Sequence, residues 1–387
     1  MPDIVPTTKN IFVVAGDPSG DLHASNLIRA LKAKDPGISV SCLGGKRMQA
    51  VSDRFIYNLV GVGAAGFGEP FKRFFLWIRL ISLVRKFLEE KRPACVIAVD
   101  FYGFNHQVLG LANHRKIPVF YYVTPQVWAS RPGRARRLAK LAKRELVIFP
   151  FEEKIYKDAG GDCVFVGHPL LDIMPPPATP PENRGGADYP WKIGLLPGSR
   201  PQEIKRLMPV FWKAFLQLHE SFPNSSAYIF AAKEVPDEEL QALCAGVEYD
   251  KPSPAFTIIR EDDYAVRSRM DAALTASGTA TLENAILGIP MAVGYIMPWL
   301  TWQIAKRVVT VKYISLANIL AGKPVVREFI QEAARPEAIA GQLMSLLQNP
   351  ERLAAVRNDL LAVRKSLGEP GAAARAAQII YSDTFSS

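Results

Sequence analysis

The chain has 387 residues, of which 49% are hydrophobic and 22% charged. That balance fits a packed globular protein of two or three domains and excludes intrinsic disorder, a collagen repeat and a disulfide-stapled miniprotein. The 47 Lys+Arg against 37 Asp+Glu give a net charge of +10, which suits an anionic partner: phosphate, nucleic acid or an acidic membrane surface.

The first residues, MPDIVPTTKN, carry no apolar signal-peptide core and run straight into a strand. Short apolar runs then follow at Ile11–Ala15, Ile38–Leu43, Cys95–Asp100, Val119–Val123, Glu145–Phe149 and Cys163–Val166. Most lack polar alternation, as strands do when a parallel sheet is covered on both faces. Helical patterns lie between them at Asp21–Lys34, Phe71–Glu90, Gln107–Arg115, Arg134–Lys143 and Glu152–Ala159. The rhythm predicts a doubly wound α/β domain over 1–173. Met174–Pro190 (MPPPATPPENRGGADYP) has six prolines and two glycines. It reads as a semi-rigid linker over 174–190, with a surface loop inside one domain as the other reading.

A second βα series predicts another such domain over 191–366. Its strands are Trp191–Leu196, Ser226–Ala231, Thr257–Ile259, Asp271–Thr275 and Met291–Gly294, and its helices Gln202–Glu220, Pro236–Ala245 and Thr279–Leu287. Helical patterns at Pro336–Leu347, Pro350–Ser366 and Gly371–Tyr381 end the chain. The four cysteines (Cys42, Cys95, Cys163, Cys244) are far apart and form no CxxC pair, so buried thiols in a reducing compartment are expected. No run of about 18 uncharged apolar residues predicts a membrane span.

Four strand-to-helix junctions carry candidate chemistry. Gly16-Asp17-Pro18-Ser19-Gly20-Asp21 permits close backbone approach and a helix N-terminus for an anion, or is a plain turn capped by Ser19 or Asp21. Asp100 ends an apolar strand, where open α/β sheets bind ligands; it reads equally as a proton-accepting base or as a helix cap. Pro197-Gly198-Ser199-Arg200 supplies a bare backbone, a hydroxyl and a guanidinium that can fork onto phosphate. Ala276-Ser277-Gly278-Thr279-Ala280-Thr281-Leu282-Glu283 suits a diphosphate at a helix start, with Glu283 one turn in for ribose hydroxyls. Either of the last two alone is ordinary capping; together they favour a nucleotide.

The histidines (His23, His106, His114, His168, His219) show neither HxH nor HExxH spacing, and there is no DxD, so no metal or other cofactor is expected. His168 reads as structural, and His106 as an understudy to Asp100. Phe71–Leu88 (FKRFFLWIRLISLVRKFL) places Lys72, Arg79 and Lys86 seven residues apart beside many apolar groups. It reads as a membrane-interface or acyl-holding helix, or as a core helix with one wet face. Pro298–Arg307 is a smaller apolar–basic patch. Arg131–Arg144 (RPGRARRLAKLAKR) is the densest basic run; with no accompanying nucleic-acid-binding motif it reads as a solvated face or one turned to anionic lipid or phosphate.

In this order the motifs resemble the lipid-A-disaccharide synthase family. The resemblance rests on Ala15-Gly16 with Ser19-Gly20-Asp21, Phe104-Asn105, Tyr122-Val123-Thr124-Pro125-Gln126-Val127-Trp128-Ala129, Phe149-Pro150-Phe151-Glu152 and Phe165-Val166-Gly167-His168-Pro169. It continues through Leu195–Arg200, Ala276–Glu283, Ser315-Leu316 with Asn318, and Glu328-Phe329-Ile330-Gln331. It implies a GT-B fold, two Rossmann-like doubly wound domains facing across a cleft, with the last helix (367–387) returning to the first domain. It also implies metal-independent, inverting transfer from UDP-2,3-diacylglucosamine to the 6-hydroxyl of 2,3-diacylglucosamine 1-phosphate (lipid X), at the inner face of the inner membrane. Its partners would be those substrates and an anionic lipid surface, with no nucleic acid; a homo-oligomer is compatible.

By the same resemblance Asp100 matches the general base. Ser199, Arg200, Ser277, Gly278, Thr279, Glu283, Asn318 and Gln331 belong to the donor side, and Ser19, Asp21, Asn105 and Gln126 to the acceptor side. Phe71, Lys72, Phe74, Phe75, Trp77, Ile78 and Arg79 belong to the acyl or membrane surface. Asp17, Pro18, His23, Tyr102, Gly103 and Ser130 depart from the family's usual residues, all toward the acceptor. The competing readings are another lipid-acceptor glycosyltransferase on this fold, a UDP-sugar epimerase and a non-catalytic binder of UDP or anionic lipid.

Overall fold

The computed structural model describes residues 9–60, 70–130, 133–181, 184–185, 188–260, 264–308 and 311–386. The chain divides into two units, Met1–Asp172 with Leu367–Ser387, and Ile173–Ser366.

The first unit is built on a parallel sheet of β1 (Asn10–Ala15), β2 (Ser39–Gly44), β3 (Arg54–Asn58), β4 (Cys95–Val99), β5 (Val119–Tyr122), β6 (Arg144–Val147) and β7 (Cys163–Phe165). Its order is β3-β2-β1-β4-β5-β6-β7. Ile11–Ala15 and Cys95–Val99 are wholly buried, because helices cover both faces. The covering helices are α1 (Pro18–Lys34), α2 (Lys46–Gln49), α3 (Pro70–Lys91), α4 (Tyr102–His114), α5 (Val127–Ser130), α6 (Gly133–Ala139) and α7 (Pro150–Asp158). Leu80, Val84 and Leu88 of α3 join Phe12, Val14, Phe104 and Tyr121 in one core.

The second unit repeats the plan with β8 (Lys192–Leu196), β9 (Ser226–Phe230), β10 (Phe256–Ile259), β11 (Ala272–Ala276), β12 (Met291–Tyr295) and β13 (Arg327–Ile330), in the order β10-β9-β8-β11-β12-β13. Its helices are α8 (Pro201–Ser221), α9 (Asp237–Ala245), α10 (Thr279–Leu287), α11 (Trp299–Val308), α12 (Leu316–Ala321), α13 (Pro336–Leu347) and α14 (Pro350–Ser366). Phe211, Trp212 and Phe215 of α8 anchor its core. The last helix, α15 (Ala372–Phe385), belongs to the first unit. Its buried Ala376, Ala377 and Ile380 face α1. Its N-terminus is capped by the Asp172 carboxylate, which accepts from the amides of Ala372 (3.2 Å) and Ala373 (3.1 Å).

Two sequence expectations need correction. The proline-rich segment is docked onto the second unit, not a free-standing linker. Arg184 donates to the Asp271 carbonyl (2.6 Å), Tyr189 donates to the Asp271 carboxylate (3.0 Å), and Arg357 reaches the Ala178 carbonyl. Strands β3 and β13 were also not anticipated. Both are sheet edges, half-exposed along their length, so neither shows the continuous apolar run of a central strand.

In each sheet the strand order reverses once, between β1 and β4 and between β8 and β11. The carboxyl ends of those pairs form the crevice where doubly wound sheets take ligands. All four candidate junctions lie there.

Candidate active site

In the second unit, the turns after β8 and β11 and the first turn of α10 line a cavity of about 390 Å³. Ser199, Arg200, Ser277, Gly278, Thr279 and Glu283 all lie on its wall, with Gly198, Glu203, Phe230, Ile259 and Arg267. Gly278 has φ 140°, a conformation that side-chain-bearing residues rarely adopt, and a Cβ there would meet nothing within 4 Å. The turn thus leaves open space in front of the α10 N-terminus, where amide N–H groups and the helix dipole favour an anion. The Ser277 hydroxyl donates to the Ile314 carbonyl (2.8 Å), which fastens the turn to a neighbouring loop. Arg200 is exposed and donates to Glu203 (2.6 Å).

Glu283 is held from both sides. Tyr264 donates to Oε1 (2.9 Å) and Arg267 pairs with Oε2. Arg267 also lies over the Phe230 and Tyr264 rings, at 5.2 and 5.1 Å. Neither Tyr264 nor Arg267 was flagged from sequence. They lie 19 and 16 residues before their partner, outside any contiguous motif.

Asn318 and Gln331, expected near the donor, are not among the residues lining this cavity. Asn318 is fully buried. Its amide donates to the Val326 carbonyl (2.8 Å) and to Glu328 (2.9 Å), and its oxygen accepts from the Val326 amide (2.9 Å). The Gln331 amide brackets Met297, accepting from its N–H (2.8 Å) and donating to its carbonyl (3.2 Å). Both hold the loops around β13.

In the first unit, Asp100 and Phe101 follow β4 with φ of 46° and 45°. Two consecutive left-handed non-glycine residues are strained and persist only when their surroundings impose them. Here Tyr121 donates to the Asp100 carbonyl (2.6 Å), as does Asn105 (2.8 Å), whose amide also reaches the Val99 carbonyl (3.1 Å). Asp100 Oδ1 accepts from the Phe101 amide (2.8 Å). The N-cap position of α4 is occupied by Phe101, not Asp100. The Phe101 ring occupies the space a side chain at position 16 would need, since a Cβ on Gly16 would fall 2.0 Å from it. Burial, reinforced by the Asp17 carboxylate, pushes the Asp100 carboxyl up to about 7.

The other acceptor-side candidates divide. Asp17, not Ser19 or Asp21, caps α1, accepting from the Gly20 amide. Ser19 is exposed and bonds Asp17 (3.1 Å), and Gln126 is exposed. Asp21 is buried, and its carboxylate accepts from the amides of Gly45 (2.8 Å), Arg47 (3.0 Å) and Met48 (3.0 Å). Asp21 therefore caps α2, and Asn105 braces the Asp100 turn. His168 is buried, its Nδ1 accepting from the Leu170 amide (3.2 Å). Burial pushes its pKa down to about 3, so it is a neutral structural group. Glu152, also unflagged, is buried and accepts from the Trp128 indole (3.0 Å) and the Phe149 amide (3.2 Å).

Of the surface helix, the side chains of Phe71, Lys72 and Phe74 lie outside the described residues. Phe75 is 68% and Ile78 48% exposed, and Arg79 and Lys86 share the wet side. Trp77 is half-buried and turns toward α4, edge-on to Phe104 (5.2 Å) and tilted against Phe101 (6.2 Å). Trp299 of α11 is 65% exposed, with Lys306 and Arg307 on the same helix. Among the described residues, no helix is long and apolar enough to cross a membrane and no cluster of His, Cys, Asp or Glu could hold a metal ion. All four cysteines are free and buried.

Comparison with known proteins agrees with this architecture. Solved structures sharing the fold include UDP-GlcNAc 2-epimerase from Neisseria meningitidis bound to UDP-GlcNAc, with TM-score 0.61, 14% identity and coverage of 98% of this chain and 100% of that one. Another is MurG of Acinetobacter baumannii, with TM-score 0.60, 18% identity and coverage of 96% and 99%. At such identities the likeness concerns the fold alone. Sequence relatives are more telling. The lipid-A-disaccharide synthase of Syntrophus aciditrophicus is 36% identical over 373 residues, 96% of each chain. That of Trichlorobacter lovleyi is 36% identical over 377 residues, 97% of each. The family model for lipid-A-disaccharide synthetase matches residues 11–381, and the chain therefore belongs to the lipid-A-disaccharide synthetase family.

Proposed function

We propose that the chain transfers 2,3-diacylglucosamine from its UDP donor to the 6-hydroxyl of 2,3-diacylglucosamine 1-phosphate, forming the β-1,6 disaccharide 1-phosphate and UDP. What carries this reading is the pair of crevices: a carboxyl with a near-neutral pKa at one, and a bare-backbone anion cavity at the other.

In this mechanism UDP lies in the second unit's cavity. Its diphosphate faces the Gly278 turn and the start of α10, and Glu283 receives the ribose hydroxyls. Ionised Asp100 removes the proton from the acceptor's 6-hydroxyl. The oxygen attacks the donor's anomeric carbon from the side opposite UDP, and the bond from that carbon to the diphosphate oxygen breaks. UDP leaves with the bonding electrons, and the attack from the opposite face accounts for inversion. Negative charge grows on the leaving diphosphate, where Arg200 and the α10 amides stabilise it most in the transition state. A base with a pKa close to the working pH combines adequate ionisation with strength, and burial beside Asp17 gives Asp100 that property.

The acyl chains require an apolar approach. The exposed Phe75 and Ile78 with Arg79 and Lys86 fit a helix resting on an anionic bilayer surface. The enzyme would then work as a peripheral protein on the inner membrane. The test is an assay with the UDP-diacylglucosamine donor and the phosphorylated acceptor, following UDP and the lipid product together. Equimolar formation supports the reading. UDP release without disaccharide, or an epimerised donor, refutes it.

A further inference from the structure

The basic run after α5 is unused by the chemistry above, yet Arg134 lies against the helix that follows Asp100. The Arg134 guanidinium lies 4.3 Å over the Tyr102 ring. Tyr102 in turn stacks on His106, one turn along α4, at 5.4 Å and 22°. Arg134 and Arg137 are three residues apart on α6 and so share a face. Both bear on His106: burial, then the positive fields of Arg137 and Arg134, hold its pKa down.

Several other cations of this unit have carboxylate partners: Lys9 with Asp35, Arg115 with Glu89, Arg144 with Asp162. Among the described residues Arg134 and Arg137 have none; an aromatic face is what holds Arg134. A guanidinium lying on a half-buried ring pair, with a second arginine one turn along the same helix face and no carboxylate partner for either among the described residues, makes a site suited to an anion.

Its position specifies which anion. Tyr102 lies two residues beyond Asp100, in the first turn of α4, and the Tyr121 hydroxyl bonds the Asp100 carbonyl (2.6 Å). In a hexosamine 1-phosphate, C1 and C5 both join the ring oxygen and C6 hangs from C5. The phosphate therefore sits within one sugar's width of the 6-hydroxyl. A base that reaches that hydroxyl needs a phosphate receptor about one sugar away.

We propose that Arg134 and Arg137, backed by Tyr102 and His106, receive the phosphomonoester of the acceptor lipid and so orient its 6-hydroxyl toward Asp100. The inference rests on the reading of Asp100 as the base. It goes further by making the acceptor's phosphate a recognition element. Arg134 is a binding and positioning residue, since it touches the substrate away from the reacting atoms.

The experiment compares the full-length protein with Arg134→Ala, Arg134→Lys and the Arg134→Ala/Arg137→Ala pair. Turnover is measured on a short-chain 2,3-diacylglucosamine 1-phosphate and on its dephosphorylated counterpart, in neutral-detergent micelles. Loss of a charge-assisted contact to phosphate should raise the acceptor KM about ten- to hundredfold. The preference for phosphorylated over dephosphorylated acceptor should collapse in the double variant and be partly restored by lysine, while UDP affinity by calorimetry stays at the wild-type value. Equal losses on both acceptors, or an unchanged KM, overturn the proposal. The same assays in micelles containing an anionic phospholipid separate the other source of phosphate. A defect confined to those micelles makes the pair a bilayer contact and also overturns it. Failure of the base reading would look different: Asp100→Asn would remain active whatever the arginines do.

Discussion

The two sheets have the same kind of strand-order reversal, yet the two crevices are furnished in opposite ways. Beyond β11 the turn is made by Gly278, with φ of 140° and no neighbour where a Cβ would stand. Room is left for a ligand, and backbone dipoles supply its electrostatics. Beyond β4 the corresponding turn is made by Asp100 and Phe101, both left-handed without being glycine. Phe101 fills the space over Gly16. One crevice is emptied to hold charge brought by a ligand. The other is crowded so that a charge of its own becomes basic. Under the proposed function the same topology would serve binding in one unit and proton transfer in the other, through the residues at two turns.

The largest test of that contrast removes the crowded crevice's charge. Asp100→Asn should lower kcat by about two to four orders of magnitude, the usual range for a general base, and leave UDP affinity within about twofold. Full turnover in the variant would remove Asp100 from the chemistry. On the opposite side, Gly278→Ala forces a side chain into a backbone region it avoids. UDP should bind about tenfold more weakly, the scale of one strained residue, as read by calorimetry; unchanged affinity would detach the diphosphate from this turn.

The pH dependence sharpens the comparison further. With the Asp100 carboxyl near 7, kcat/KM should fall as pH drops through neutrality. Asp17→Asn keeps a good helix cap but removes the neighbouring negative charge, so the acidic limb should move to lower pH. A limb that stays in place would assign it to another group. Stability should respond with a definite sign. The native carboxyl keeps its proton to about pH 7, while the unfolded chain releases it near 3.8, so its contribution to stability declines as pH rises between those values. Asp100→Asn should consequently be stabilised at pH 8 relative to wild type, by about 4 kcal/mol, and lose that advantage near pH 3. A gain independent of pH would show that the carboxyl is not raised. The smallest effect concerns the surface: Arg79→Glu with Lys86→Glu should reduce cosedimentation with anionic vesicles severalfold, and unchanged partitioning would leave α3 an ordinary covering helix.

Much of this was legible beforehand where burial is continuous. Val13, Ile97 and Leu274 lie in strands covered on both faces, and a run of such residues announces itself within five or six positions. Edge strands do not, because half of Arg54–Asn58 faces solvent. The glycine turns were legible as well, since few other residues can make them. Polar residues were harder. Asp21, Asn105, Asn318 and Gln331 are chemically suited to touch a ligand, and each is also bound to protein backbone, five to eight residues away for Asn105 and Asn318 and 24 and 34 for Asp21 and Gln331. The described residues of Met174–Pro190 form no helix or strand, as proline and glycine there predict, but composition carries no information on whether such a segment is docked. Arg184 and Tyr189 settle that through Asp271.

By itself the amino-acid sequence determined the central strands and the long helices, the glycine-bearing junctions and the kinship with one enzyme family. These are local properties: side-chain burial repeats over a few residues, and backbone freedom belongs to single positions. Only the tertiary structure decided which polar groups were already satisfied, that Arg267 and Tyr264 would grip Glu283, that Trp77 would turn toward α4, and that Arg134 would lie over Tyr102. A hydrogen bond or a stacked cation is made with whatever the fold brings alongside, and a side chain's type records its capacity for partners but not their identity.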